Sequence, residues 1–134
     1  MSIEKITKYL IDIRESEDFI SPDVLDPIDY KNDSLDTWVE IENPEFTSLC
    51  PMTGLPDLGT IKIKYLPDNK IVELKSLKYY FLQFRNAGIF YENLTKMISG
   101  HLVDSLDPIE LIVEAEFTSR GGISSKVSTT YKKK

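Results

Sequence analysis

Cysteine and histidine are the scarcest chemistry-bearing residues in this chain: among 134 residues there is one of each, Cys50 and His101. A single thiol cannot close an internal disulfide, and one Cys with one His cannot assemble a zinc site within one chain, so no metal is expected. Long apolar runs are also missing. No stretch approaches the ~18 residues that span a bilayer, and the N-terminus lacks the basic-then-apolar pattern of a signal peptide, so a soluble, cytoplasmic protein with no membrane partner is expected. Glycine and proline, 6 and 7 residues, are too few for a collagen-like or low-complexity chain. No internal repeat is visible. What remains is enough for one core, since a chain of this length buries about 68–70% of its unfolded surface.

Positive charge is short in the first part of the chain. Residues 1–57 hold 14 acids and 4 bases, net −10, and residues 58–134 hold 8 acids and 12 bases, net +4. The positive excess lies between Thr60 and Lys96, where seven bases face three acids. An acidic chain is a poor non-specific nucleic-acid binder, because phosphate neutralisation by clustered Lys and Arg supplies most of that affinity. A small anionic ligand near the middle remains compatible with this distribution, as does a plain solvated basic surface.

Apolar periodicity divides the chain. Ile3, Ile6, Tyr9, Leu10 and Ile13 predict a short amphipathic helix. From Glu15 to Asp36 the pattern disappears and Pro22, Pro27 and many acids predict an irregular connection rather than a core element. Thr37–Glu42 reads as a strand ending at Asn43-Pro44. Thr60–Leu66 alternates, with Ile61, Ile63 and Tyr65 on one face and Lys62 and Lys64 on the other. After a turn at Pro67-Asp68-Asn69, Glu73–Arg85 takes helical period with Leu74, Leu77, Tyr80, Phe81 and Phe84 as its stripe, and a second helix over Phe90–Leu106 buries Leu94, Met97, Ile98 and Leu102 before Asp107-Pro108 stops it. Strands follow over Ile109–Phe117 and Ile123–Tyr131. Two strands, two helices and two strands after a helical extension predict an α+β fold, an antiparallel sheet with both helices on one face.

Cys50 falls in the connection Phe46–Asp57, whose two prolines and glycine stiffen it. A lone Cys is most often a small buried hydrophobe, and an Asp after Pro56 often does no more than stabilise a turn. Asp57, seven residues on in the same loop, offers another reading. A carboxylate beside a thiol raises the thiol pKa, so its use there is to carry protons, which fits a nucleophilic thiol and an acid/base acting on one electrophile.

The run Phe46–Asp57, the helix start Glu73-Leu74-Lys75-Ser76-Leu77-Lys78-Tyr79-Tyr80, then Phe84-Arg85-Asn86, Glu92 and Phe117-Thr118-Ser119-Arg120-Gly121-Gly122-Ile123 together resemble the 7-cyano-7-deazaguanine reductases, the QueF-type nitrile reductases of queuosine biosynthesis, in their short single-module form. The resemblance covers roughly Trp38 to Tyr131. It implies a tunnelling fold, ββααββ, whose subunits close their sheets into a barrel, with a decamer as the expected homo-oligomer. Residues 1–36 then form an N-terminal extension and 37–134 the catalytic domain. The resemblance implies Cys50 as the nucleophile that captures the nitrile as a thioimidate, Asp57 as proton donor, and two NADPH per substrate. It assigns Glu73, Tyr91 and Glu92 to the deazapurine substrate, and Lys75, Ser76, Lys78, Arg120 and Gly121 to the cofactor. A carboxylate can accept two hydrogen bonds from the edge of a guanine-like base, which suits Glu92. Glu73 and Glu92 also fall at helix starts, where an acid is commonplace without any ligand. Gly121-Gly122 is no dinucleotide-binding fingerprint, because no spaced-glycine turn follows a strand there. Tyr91 stands where many members have His; it can donate a hydrogen bond and stack but does not titrate near neutrality.

Three rivals can be weighed. Zinc-dependent pterin enzymes of the same fold need several His or Cys per chain, which this sequence does not have. The archaeosine-forming relative uses the same thioimidate on tRNA and is expected to lack the lysines found here as Lys75 and Lys78. A non-catalytic purine- or pterin-binding oligomer would keep Glu73 and Glu92 and have no use for Cys50 beside Asp57.

Overall fold

In the computed structural model of the chain, residues 19–134 are described; the helix expected over 3–13 lies outside them. In chain order the elements are β1 (Pro27–Asp29), β2 (Val39–Leu49), β3 (Pro56–Leu66), β4 (Lys70–Val72), α1 (Leu74–Leu82) continued by a 3-10 turn (Gln83–Asn86), α2 (Tyr91–Leu106), β5 (Glu110–Arg120) and β6 (Ile123–Lys132). Four strands make an antiparallel sheet in the order β2-β3-β5-β6, and β1 pairs with β4 apart from it. The period-2 pattern sets the register: Ile61 faces Ala115 and Ile63 faces Val113, all buried on the side the helices cover. Leu77, Tyr80, Phe81 and Phe84 descend from α1 and its 3-10 turn, Leu94, Ile98, Leu102 and Leu106 from α2, and with the sheet they form the core. On the other face, Lys62 sits between Glu42 and Glu114, and Lys126 pairs with Glu114 at 2.9 Å. Such exposed pairs contribute little stability and chiefly keep that face polar.

The α+β order is as expected, with three corrections. The segment read as irregular and outside the core supplies Ile20 and Leu25 to it and the strand β1. It is strapped to α1 by side-chain bonds: Gln83 brackets both Ser21 backbone groups, at 2.8 and 2.9 Å, and Asp26 N donates to Ser76 Oγ at 3.0 Å. Prolines break periodicity here without preventing burial, because polar side chains elsewhere satisfy the backbone. Next, β2 does not end at Asn43-Pro44. The register slips between Asn43 and Phe46, a bulge that absorbs the proline and extends the strand to Leu49. The slip changes parity: Val39 and Ile41 turn inward before it, Phe46 and Ser48 after it. Consequently most of the predicted loop Phe46–Asp57 is hairpin, leaving a short turn at Cys50–Leu55. Finally, Leu74, placed in the apolar stripe, is exposed at the first position of α1.

Gly59 is fixed by packing. A Cβ there would stand 2.7 Å from Glu116 O and 2.8 Å from Phe117 Cδ1, so only glycine lets the Phe117 ring lie against β3.

Candidate active site

The β2–β3 turn holds Cys50 by its backbone. Cys50 N donates to Leu55 O and Gly54 N to Cys50 O, both at 2.8 Å, and Gly54 takes the positive φ of 75° that the tight return needs. Leu49 N donates to Ala87 O at 3.0 Å, tying the strand end to the segment before α2. The thiol is half-buried. Burial opposes its ionisation, and so does Asp57, but hydrogen bonds from the Thr53 side chain and from the Thr53 and Met52 backbone outweigh both and hold Cys50 below the ordinary thiol value. The sign expected for Asp57 is correct; the turn donors that reverse the net effect were not legible, because convergence of N–H groups depends on how the turn closes.

Asp57, 4% exposed, is the second residue of β3. Arg120, at the end of β5, approaches its Oδ1 at 3.3 Å and also donates to Pro56 O. The Tyr91 ring lies flat on Phe117, centroids 3.7 Å apart and planes 5° from parallel, which aims its hydroxyl at the same carboxylate. Burial first, then Asp57, push the Tyr91 phenol up to about 12, so it stays protonated and serves as a hydrogen-bond donor across the working pH range. Glu92 follows in the first turn of α2, where the helix dipole favours an anion. Cys50, Asp57, Tyr91, Glu92 and Arg120 line one cavity of about 400 Å3, walled by Pro51, Leu55, Ile89 and Phe90. A mostly apolar cleft with a few convergent polar groups suits a small planar heterocycle.

The other expected residues stand elsewhere in the chain. Glu73 caps α1, its carboxylate accepting from the Lys75 and Ser76 N–H groups, and lies outside the Cys50 cavity. The Ser76 hydroxyl donates to Glu73 O at 2.8 Å and accepts from Asp26 N. Lys75 shares a surface depression with Asp23, Asp26 and Glu73. Lys78 lines a different cleft with Arg85, over a floor that includes Phe46 and Phe81. Gly121 and Gly122 form the β5–β6 turn with φ of 58° and 82°. His101 Nδ1 pairs with the Tyr80 hydroxyl at 2.7 Å, away from the thiol cavity. Arg120, expected at the cofactor, meets Asp57 at the edge of the thiol cavity.

A family model described as QueF-like protein matches residues 56–134. The chain is 56% identical over 109 residues to an NADPH-dependent 7-cyano-7-deazaguanine reductase of Chlorobium phaeobacteroides (strain BS1), covering 81% of this chain and 92% of the relative. It is 50% identical over 114 residues to the protein of that name from Chlorobaculum tepidum, covering 85% and 97%. Among solved structures, the apo archaeosine synthase QueF-Like superposes with a TM-score of 0.66 over 72% of this chain and 95% of its own. At 16% identity that likeness is one of fold alone, and the fold is the tunnelling architecture the sequence implied.

Proposed function

Because this chain belongs to the family of NADPH-dependent 7-cyano-7-deazaguanine reductases, we propose that it reduces the nitrile of 7-cyano-7-deazaguanine to the aminomethyl group at the Cys50 cavity. It is an oxidoreductase that takes a small deazapurine nitrile and uses NADPH, an activity of queuosine biosynthesis. The single observation that supports the site is the meeting of Cys50, Asp57, Tyr91 and Glu92 in one cavity. Glu92 accepts from the ring N–H and exocyclic amine of the base, and Tyr91 with Phe90 flanks it. The Cys50 sulfur adds to the nitrile carbon, and the thiol proton passes by way of Asp57 to the nitrile nitrogen, giving a thioimidate with no atom expelled. A C=N so activated accepts hydride more readily than the nitrile; after the first hydride the C–S bond breaks and returns the Cys50 thiol, leaving an imine for the second, with Asp57 relaying the proton that balances each addition. When bound, two NADPH molecules would supply the two hydrides, one from each.

The cationic groups that suit a phosphate-bearing cofactor, Lys78 with Arg85 over an apolar floor, lie in a cleft separate from the thiol cavity, and Lys75 stands among acids. We therefore assign Lys75, Ser76, Lys78 and Gly121 to a cofactor site completed between copies of the chain, with Glu73 closing the substrate side of a neighbouring cavity. Exposed Met52, Leu55 and Phe90 beside the cavity give a second copy an apolar surface to cover, and β2 and β6 end the sheet with edges of 11 and 10 residues. Light scattering on the purified protein should give a mass several times 15.4 kDa, a decamer in the leading reading; a monomer would remove the shared site.

The decisive assay adds 7-cyano-7-deazaguanine to the protein with NADPH in excess. Two NADPH should be oxidised for each nitrile consumed, with the aminomethyl product seen by mass. A folded protein that leaves NADPH absorbance unchanged contradicts the activity. The archaeosine reading gains nothing from the 16% identical neighbour, whereas the relatives at 50–56% are reductases.

A further inference from the structure

The β2 bulge turns Ser48 inward, and the ladder sets it directly across from Asp57 on the same face of the sheet. Residues paired in this way have Cβ atoms about 4.5–5.5 Å apart. Ser48 is 0% exposed, and its Oγ is the one buried side-chain polar atom with no hydrogen-bond partner among the described residues. A buried hydroxyl without a partner is a net cost to folding, since its water is lost and nothing replaces it. Here the cost falls two residues from the nucleophile and one strand from the acid/base, the kind of place where a fold tolerates a locally unfavourable group.

We propose that Ser48 is a positioning residue for Asp57: its hydroxyl donates a hydrogen bond to the carboxylate whenever Asp57 has given up its proton, holding that side chain toward the Cys50 cavity between successive transfers. The inference rests on the reading of Asp57 as the acid/base. Ser48 does not line the cavity while Asp57 does, so the serine acts through the aspartate and not on the substrate. Arg120 meets Asp57 from the exposed end of β5, its own side chain 48% exposed, whereas Ser48 stands opposite it in the ladder on the buried face. One torsion brings a serine hydroxyl from an unpaired to a paired direction, so the bond can form and break with each transfer.

The ionisable groups facing Asp57 are Cys50 from the turn, Tyr91 from α2 and Arg120 from β5, with Glu92 lining the same cavity. Ser48 adds no titrating group to this set.

The test compares Ser48→Ala, Ser48→Thr and Asp57→Asn with the unaltered protein in the NADPH oxidation assay. Ser48→Ala should lower kcat about tenfold, the effect of one hydrogen bond to a charged group, with the nitrile KM within about twofold. Its Tm should be equal or higher, because the hydroxyl is unpaired at rest and its bond to Asp57 forms only during turnover, and Ser48→Thr should recover most of kcat. A Ser48→Ala protein with unaltered kcat, or one whose kcat Ser48→Thr does not recover, overturns the proposal; so does one that loses activity only in step with a fall in Tm, which would make the hydroxyl a packing group. Should Asp57→Asn turn over normally, the reading of Asp57 fails and this inference with it. Normal Ser48→Ala beside a disabled Asp57→Asn refutes the serine role alone.

Discussion

Cys50→Ala should abolish nitrile reduction and leave the fold intact. Incubated with 7-cyano-7-deazaguanine and no NADPH, the unaltered protein should gain the full mass of the nitrile, since addition of a thiol to a C≡N expels nothing. The alanine protein should gain none and should oxidise no NADPH. Alanine preserves the structure because the turn is closed by backbone groups, Cys50 N to Leu55 O and Gly54 N to Cys50 O, which a Cβ alone does not disturb. Weak binding of the base should persist through Tyr91 and Glu92, which the substitution does not touch. The loss is complete because nothing else among the described residues of the cavity is an equivalent nucleophile, and the thiol is held below its ordinary pKa by the Thr53 and Met52 donors. Holding that thiol in a closed turn against a bound nitrile is the effective-concentration advantage a free thiol lacks. Intact mass spectrometry decides the point: an adduct that survives Cys50→Ala places the nucleophile elsewhere.

Asp57→Asn should separate the reactivity of the thiol from the supply of protons. Turnover should fall by about 10²–10⁴-fold, the span usual for loss of a positioned general acid/base. Thiol ionisation should become easier at the same time. Asp57 opposes the thiolate, and without its charge Arg120 remains as an unopposed cation nearby, so Cys50 should titrate at lower pH than in the unaltered protein. The rate of iodoacetamide alkylation against pH reports the first quantity and single-turnover NADPH oxidation the second. A lower alkylation midpoint with slower reduction is the expected pair. An unchanged rate of reduction would move the proton supply to another group, with Tyr91 the nearest donor and, near 12, a weak acid.

Much of the fold is visible in periodicity. Ile61, Ile63 and Tyr65, and Leu111, Val113, Ala115 and Phe117, alternate along strands that bury one face, and a one-residue slip would expose them all, so pattern and register agree. The helices are equally legible, since Leu77, Tyr80, Phe81, Leu94, Ile98 and Leu102 keep helical spacing against that face. The pattern misleads where a residue's fate depends on something distant in sequence. Asn43-Pro44 looks like a strand end because proline cannot join a central ladder, yet β2 is an edge strand and a bulge accommodates it. Ile20 and Leu25 have no periodic partners, and their burial follows from the strap that Gln83 and Ser76 hold against α1. At the site, Cys50, Asp57 and Glu92 were named from their residue types and from a family resemblance. Their meeting with Tyr91 and Arg120 required β3, β5 and α2 to converge. Thr53 and Ser48 carried no signal of their own, because a turn hydroxyl and a strand serine are ordinary residues until their surroundings are known.

The sequence by itself determined the class of fold, the presence of a lone thiol and the exclusion of an internal disulfide, because periodicity and residue counts are properties of the chain alone. Tertiary structure decided the balance at Cys50, where converging turn donors outweigh burial and Asp57. It paired Arg120 with Asp57, left Lys75 and Lys78 outside the thiol cavity, and set an unpartnered serine beside the acid. The physical reason is common to all of these. Ionisation and hydrogen bonding are fixed by which groups share a few ångströms of desolvated space, and here a single bulge in β2, by reversing the faces of the residues after it, decides which groups those are.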